Sequence, residues 1–141
     1  MTTYESTMKT ISSAEEVVFN ILSDFTNLEK IQDKLPESDA IKDLTFDRDS
    51  CSFQLSGMGK VGFRITNREA YNTIVLKTEY LPVEAEARIS LQGSGAKETQ
   101  MKLSLSAELP MMIKMMLDKK LKEGIDLLAG KLAEALSESV Q

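Results

Sequence analysis

The residues best suited to acid–base chemistry are grouped on one predicted strand and its neighbour. Glu84, Glu86 and Arg88 alternate along one strand, and Glu79 lies on the strand before it. Paired carboxylates can act as general acid and general base when burial separates their pKa values. Here they alternate with the apolar residues of the same strand, which predicts that they lie on the solvated face of a sheet. The pattern therefore favours a charged surface over a catalytic pair.

The other reactive side chains give weaker indications. Arg64 and Arg68 are predicted to alternate outward in the same way. Tyr80 is predicted to point inward, where its hydroxyl needs a partner from the protein or from a ligand. That hydroxyl could also orient a carbonyl group of a bound molecule. Cys51 has no base near it in the sequence and is predicted to be an inert buried thiol.

The composition excludes several classes of function. The chain has no histidine and one cysteine, so it lacks the usual general base and the usual zinc ligands. We expect no metal site and no cofactor. The formal net charge of −5 argues against nucleic-acid binding and against attraction to anionic membranes. No apolar run is long enough for stable membrane insertion, and with no signal-peptide pattern the expected location is cytoplasmic.

Four of the eight methionines lie within six positions: Met111, Met112, Met115 and Met116. We refer to these four as the methionine patch. Three interpretations are open. The side chains could fill irregular gaps beneath another part of the chain, they could line or gate the mouth of a ligand cavity, or they could form an exposed contact surface.

Hydrophobic periodicity predicts the elements that position these residues. Ser13 and Glu16 have the spacing of a capping box at the start of the first helix. Asp24 or Thr26 is expected to begin the second helix. Strands with one apolar face and short links indicate an antiparallel meander. The predicted order is a strand at 2–11, helices near 13–23 and 25–34, six strands between 40 and 108, and a long helix from Pro110 to about Leu136.

A helical wheel divides the closing helix into faces. Its apolar stripe is predicted to pack on the sheet, whereas Met112, Met115 and Met116 fall outside that stripe, on the side occupied further along by charged residues. The stripe comprises Ile113, Leu117, Leu121, Gly124, Leu128 and Leu132, with Ile125 and Leu136 at its edge.

Three stretches resemble the START and polyketide-cyclase superfamily (SRPBCC), which includes the birch-pollen-allergen-like proteins. "ISSAEEVVFNILSDFTNLEKI" (11–31) is similar to the family's opening strand and paired helices. "YNTIVLKTE" (71–79) resembles its turn into a central strand, and "MKLSLSAEL" (101–109) before a long helix resembles its C-terminal end. The resemblance covers the whole chain and implies one α+β helix-grip domain over residues 1–141.

In that family the sheet curls around the long helix and leaves an apolar cavity that binds lipids, sterols, hormones or aromatic polyketides. The resemblance thus implies binding or carriage of a small hydrophobic molecule. A polyketide cyclase or dehydrase enzyme, or a protein-interaction module using the methionine patch, is the alternative, and a homodimer is left open. The expected ligand-binding wall consists of Phe63, Leu76, Tyr80, Ile89, Met101, Leu103, Met112, Met115, Met116 and Leu117.

Overall fold

The computed structural model describes residues 2–29, 41–55, 59–80 and 84–139. Within these ranges the chain forms one antiparallel sheet of eight strands with three helices. The strands are β1 (Thr2–Glu5), β2 (Lys9–Ile11), β3 (Ile41–Phe46), β4 (Ser50–Leu55), β5 (Gly59–Glu69), β6 (Thr73–Glu79), β7 (Ala85–Gly95) and β8 (Glu98–Ala107). The helices are α1 (Glu15–Leu22), α2 (Thr26–Glu29) and α3 (Met111–Ser139).

The predicted meander is confirmed. The strands lie in the order β1-β8-β7-β6-β5-β4-β3, and β2 also pairs with β8. The predicted first strand is divided in two at Ser6, whose buried hydroxyl oxygen accepts a hydrogen bond from the backbone N–H of Leu103 at 2.9 Å. The side chain thereby replaces a backbone acceptor where the strand is interrupted.

The capping box predicted at Ser13 and Glu16 is wrong. The N-cap residue of α1 is Ala14, which makes no side-chain capping bond. Ser13 is buried one position earlier, where its carbonyl accepts a hydrogen bond from the Thr99 hydroxyl at 2.7 Å. At the start of α2, by contrast, Asp24 accepts bonds from the backbone and hydroxyl of Thr26, which lowers the pKa of Asp24. The predicted end of this helix, residues 30–34, lies outside the described residues.

Strand parity predicts the faces of the sheet correctly until a bulge interrupts β5. Ile65 pairs with Leu76, but the next partners are Asn67 with Val75 and Arg68 with Ile74. The extra residue reverses the alternation, so Arg68 joins the concave face instead of pointing outward as predicted. There its guanidinium donates to the carbonyl of Ser23 at 2.9 and 3.0 Å and pairs with Asp49.

The closing helix begins as predicted, because the carbonyl of Pro110 accepts the N–H of Lys114 at 2.9 Å and Pro110 itself has no N–H to satisfy. The helix contacts β1, β2 and β8 at one edge of the sheet. Helix α1 contacts β7 and β8, and α2 contacts β3. The two short helices therefore cover one end of the curved sheet.

Candidate functional site

The concave face of the sheet is sealed at the end covered by the two short helices. Cross-strand neighbours there form layers, first Met101 with Leu91, then Leu103 with Ile89 and Ile74. All five side chains are buried in one hydrophobic cluster with residues of α1, α2 and the C-terminal half of α3. We call this region the closed end.

Burial decreases along the same face toward the opposite end. In the next layers Leu76 and Ile65 are still buried, whereas Leu105 is only half-buried. Beyond them lie Phe63 and Phe53, two half-buried rings stacked at 6.4 Å between centroids. These side chains point to the concave side but retain solvent exposure. We call this region the open end.

Polar contacts attach α3 to the N-terminal strands along one side of the helix. The hydroxyl of buried Tyr4 donates to Asp118 at 2.7 Å. The backbone and hydroxyl of Thr7 donate to Asp126 at 2.8 and 2.9 Å, and the Lys9 ammonium lies 3.2 Å from the same carboxylate. Near the helix end, the N–H of Ser12 donates to Ser137 at 3.0 Å.

These contacts also affect ionisation. The hydrogen bond from Tyr4 lowers the pKa of Asp118, and the bonds from Thr7 lower the pKa of Asp126. Burial, followed by the bond to Asp118, raises the pKa of Tyr4. Both carboxylates are therefore charged acceptors throughout the neutral range, and the helix position depends on their charge.

The side of α3 that faces the sheet is buried in its C-terminal half only. Leu132 and Ala135 are buried. Leu121 and Leu117 lie about three and four turns before Leu132 on the same side, yet both are only half-buried. Leu128, about one turn before Leu132, is 42% exposed, although the helical wheel places it on the predicted sheet-facing stripe. At Gly124, also on that stripe, an added Cβ would have no atom within 4 Å.

The predicted apolar stripe is thus packed on the sheet only toward its C-terminal end. The physical reason is the position of the helix: its contacts with β1, β2 and β8 hold it at the sheet edge. Buried Ala129 and Ala133 allow close approach there, whereas the N-terminal half has no comparable packing. The apolar side chains at the open end of the sheet and along the first half of α3 therefore keep contact with solvent.

The methionine patch is exposed. Met111, Met112 and Met115 are each 78% exposed and Met116 is 73% exposed. Of the three interpretations, burial beneath another part of the chain is therefore wrong. Met112, Met115 and Met116 lie outside the apolar stripe of α3, on the side of the helix that carries Lys119 and Lys122 further along, so no described part of the chain covers them.

The predicted wall residues lie in separate environments. Phe63, Leu76, Ile89, Met101 and Leu103 share the concave face, with Met101 fully buried at the closed end. Leu117 is half-buried on α3, whereas Met112, Met115 and Met116 lie on the exposed side of that helix. Phe53 and Leu105, half-buried on the concave face at the open end, are added to the candidate site.

The inward orientation predicted for Tyr80 is wrong. This residue follows the end of β6, has a φ of 67° and is 61% exposed. Its ring lies on the outer face against Gly62, where an added Cβ would come within 3.1 Å of the ring, and the Lys60 ammonium sits 4.4 Å from the ring centroid. The backbone turns into the left-handed region at the strand end, so the alternation of the strand no longer applies.

The remaining candidate groups are structural. On the outer face Glu86 pairs with Arg88, and Glu79 pairs with Arg64, each at 3.2 Å. The solvated orientation predicted for these charged side chains is therefore confirmed. Burial raises the pKa of Cys51 to about 11, as expected for an inert thiol.

Across the described ranges, no three Cys, Asp or Glu side chains are grouped to hold a metal ion. None of the helices in those ranges combines the length and hydropathy needed to cross a bilayer.

Comparison with solved structures identifies the architecture. Norcoclaurine synthase from Thalictrum flavum, solved in complex with dopamine and hydroxybenzaldehyde, is 12% identical; the match covers 99% of this chain and 86% of that one, with a TM-score of 0.73. The chain has the helix-grip fold. A START superfamily protein from Mycobacterium smegmatis shares this fold at 18% identity, covering 98% and 96% of the two chains, with a TM-score of 0.60.

A conserved protein from Geobacillus kaustophilus has the same fold, with 18% identity, coverage of 99% and 95%, and a TM-score of 0.68. No protein-family model and no curated protein matches the sequence. The resemblance to the START and birch-pollen-allergen-like superfamily is therefore confirmed at the level of the helix-grip fold.

Proposed function

We propose that this helix-grip protein binds or carries a small hydrophobic molecule in the space between the open end of the sheet and the first half of α3. The observation that carries the proposal is the gradient of burial along the concave face. Met101 is fully buried at one end, while Phe63 and Leu105 at the other end face inward and remain half-exposed. Apolar groups held in this way are stabilised by a ligand that removes them from water.

The opposite wall is equally apolar. Leu117 and Leu121 of α3 face the same space, and the anchoring of α3 through Asp118 and Asp126 keeps this wall from collapsing onto the sheet. Selectivity would come from the shape of the space between these walls. The aromatic molecules bound to norcoclaurine synthase support a ligand of small-molecule size.

Carriage is favoured over catalysis as the role of this site. Tyr80, which a cyclase-like reaction would require on the inner side, lies on the outer face. The only shifted thiol pKa, that of Cys51, is shifted toward the unreactive neutral form. We expect the protein to act as a monodomain cytoplasmic carrier.

Native mass spectrometry of protein purified without detergent, combined with analysis of an organic extract, tests this proposal. Leu117→Arg would place a charge in the space, and Leu127→Arg is the matched control, since Leu127 is 54% exposed on the same helix. We expect an adduct on the order of a few hundred daltons in the wild type and the control. The adduct should be absent from Leu117→Arg.

Circular dichroism would verify that both variants retain the wild-type fold. The proposal is overturned by a wild-type protein without adduct that also shows no mass shift with added fatty acids, sterols or flavonoids. An adduct that persists in Leu117→Arg would place the ligand elsewhere.

A further inference from the structure

We propose that the first three turns of α3 dock on an anionic lipid bilayer, with the methionine patch inserted at the boundary between headgroups and acyl chains. The proposal rests on side chains outside the ligand space and does not require that space to be occupied. It concerns reversible binding at the membrane surface, which is distinct from a spanning segment.

The exposed apolar surface is the first observation. Four methionines, each about three-quarters exposed, lie within the first two turns of α3. Methionine side chains are apolar and flexible, so they adapt to a disordered partner such as lipid chains. Their concentration at one end of the helix differs from the singly scattered apolar residues of an ordinary surface.

A basic cluster next to the patch is the second observation. Lys114, Lys119, Lys120 and Lys122 are all exposed, and the acidic residues between positions 111 and 123 are Asp118 and Glu123. The Asp118 carboxylate is engaged by Tyr4 and lies 3.6 Å from the Lys122 ammonium. With both acidic residues counted, positions 111–123 of this acidic protein carry a local net charge of +2.

This arrangement opposes the helix dipole. Cations near a helix N-terminus are unfavourable, and acidic residues are normally preferred there. In α3 the first turn has no acidic residue and the last turn has no basic residue. Because neither the lysines nor the exposed methionines improve the stability of the isolated protein, their placement points to a partner.

The spacing of the two groups fits a bilayer surface. Lys119 and Lys120 follow Met115 and Met116 by four residues, so each lies on the same side of the helix about 6 Å further along its axis. With the methionines at the acyl boundary, the ammonium groups reach the level of the lipid phosphates.

A second copy of the chain is a less suitable occupant. A two-fold dimer through the patch would place the lysines of both copies, which are interspersed with the methionines, in one interface, which is electrostatically unfavourable. The net charge of −5 and the lack of a basic run longer than Lys119–Lys120 predicted no attraction to anionic membranes, whereas the helix also brings Lys114 and Lys122 within the same three turns. The charges on α3 are segregated, and attraction decays within a Debye length, so the local cluster dominates at contact.

Flotation of the full-length protein with lipid vesicles tests the proposal. The probes are vesicles of phosphatidylcholine alone and of phosphatidylcholine with about 30% phosphatidylserine, at about 1 mM lipid, where peripheral binders partition. We expect binding to the mixed vesicles only. At roughly 1 kcal/mol per lysine, loss of two positive charges lowers the partition coefficient about thirtyfold, so Lys119→Glu with Lys120→Glu, which also adds two negative charges, should lower it by more than that. Met112→Ser with Met116→Ser should lower it about tenfold or more.

Matched controls are available on the same helix. Leu127→Ser removes an exposed apolar side chain, and Lys131→Glu reverses an exposed lysine, both far from the patch. Neither control should change partitioning by more than about twofold, as expected for sites outside the contact. Thermal unfolding would show that the variants fold.

Three outcomes would overturn the proposal. One is a wild-type protein that binds neither type of vesicle. Another is binding that the lysine substitutions weaken but the methionine substitutions leave unchanged, which would indicate unspecific charge attraction. The third is a methionine-dependent dimer in sedimentation equilibrium without vesicle binding, which would assign the patch to a second copy.

Discussion

Replacing one leucine by alanine in each half of α3 should distinguish the packed half of the helix from the unpacked half. Leu136 is fully buried in the core cluster, whereas Leu117 is half-buried on the side facing the open end. A fully buried leucine replaced by alanine destabilises a protein by about 3–5 kcal/mol, because transfer and cavity terms add. At Leu117 part of the side chain is already in water and no closed cavity forms, so we expect about 1 kcal/mol.

The expected difference is large enough to measure in either of two ways. For a chain of this size, each kcal/mol corresponds to roughly 3–4 °C in Tm, so Leu136→Ala should lose about 10 °C or more and Leu117→Ala about 3–4 °C. Urea unfolding followed by circular dichroism gives the same comparison as free energies. Leu127→Ala, on the exposed side of the helix, serves as the control and should be within about 0.5 kcal/mol of wild type.

Equal losses for Leu117→Ala and Leu136→Ala would refute this reasoning. The N-terminal half of the helix would then be packed as tightly as the core, and the space proposed for a ligand would not exist. A small loss for Leu136→Ala would instead contradict the assignment of the closed end as the stable part of the core.

Three further predictions follow from individual residues. Gly124→Ala should raise the free energy of unfolding by about 0.5–1 kcal/mol, because an exposed helical glycine with room for a Cβ is replaced by a better helix former; urea unfolding measures it. Tyr4→Phe should be less stable than wild type at neutral pH, because it loses a hydrogen bond that stabilises the charged carboxylate of Asp118 and thereby lowers its pKa. The difference in stability should shrink as the pH falls below about 3.8 and through the lowered pKa of Asp118, and unfolding curves at several pH values check it. Cys51, with its pKa raised to about 11, should react with iodoacetamide at pH 8 at least about a hundredfold more slowly than free cysteine, and urea should restore the ordinary rate; mass spectrometry follows both.

Periodicity alone predicted most of the fold. The alternation in the last six strands and the long closing helix are local patterns, and the sequence specifies them through burial of one face. Its failures occur where one residue changes the backbone. The bulge in β5 moves Arg68 to the concave face, and the left-handed backbone at Tyr80 moves that ring to the outer face. Residues 65–68 contain no glycine or proline that marks the bulge, whereas Pro82, two residues after Tyr80, is a signal that the strand ends there.

The candidate site was less predictable than the fold. The inward set of Phe63, Leu76, Ile89 and Leu103 follows from parity, but the gradient of burial along that face depends on where α3 rests. That position is set by side-chain bonds over more than a hundred residues of sequence separation, such as Tyr4 to Asp118. A helical wheel describes the faces of a helix and cannot supply its position relative to a sheet.

In mechanical terms α3 is a long bar that is packed on the core at its C-terminal half and joined to β8 at its other end through residues 108–110. From Ala129 to Met112 the helix measures about 26 Å, so a tilt of roughly 10° about Ala129 displaces Met112 by about 4 Å. The same tilt moves Asp118 by about 3 Å, enough to break its 2.7 Å hydrogen bond with Tyr4, and moves Asp126, which accepts from Thr7, by less than about 1 Å. The Tyr4 hydroxyl therefore makes the polar contact that limits such a tilt, while the buried contacts beyond Ala129 stay in place.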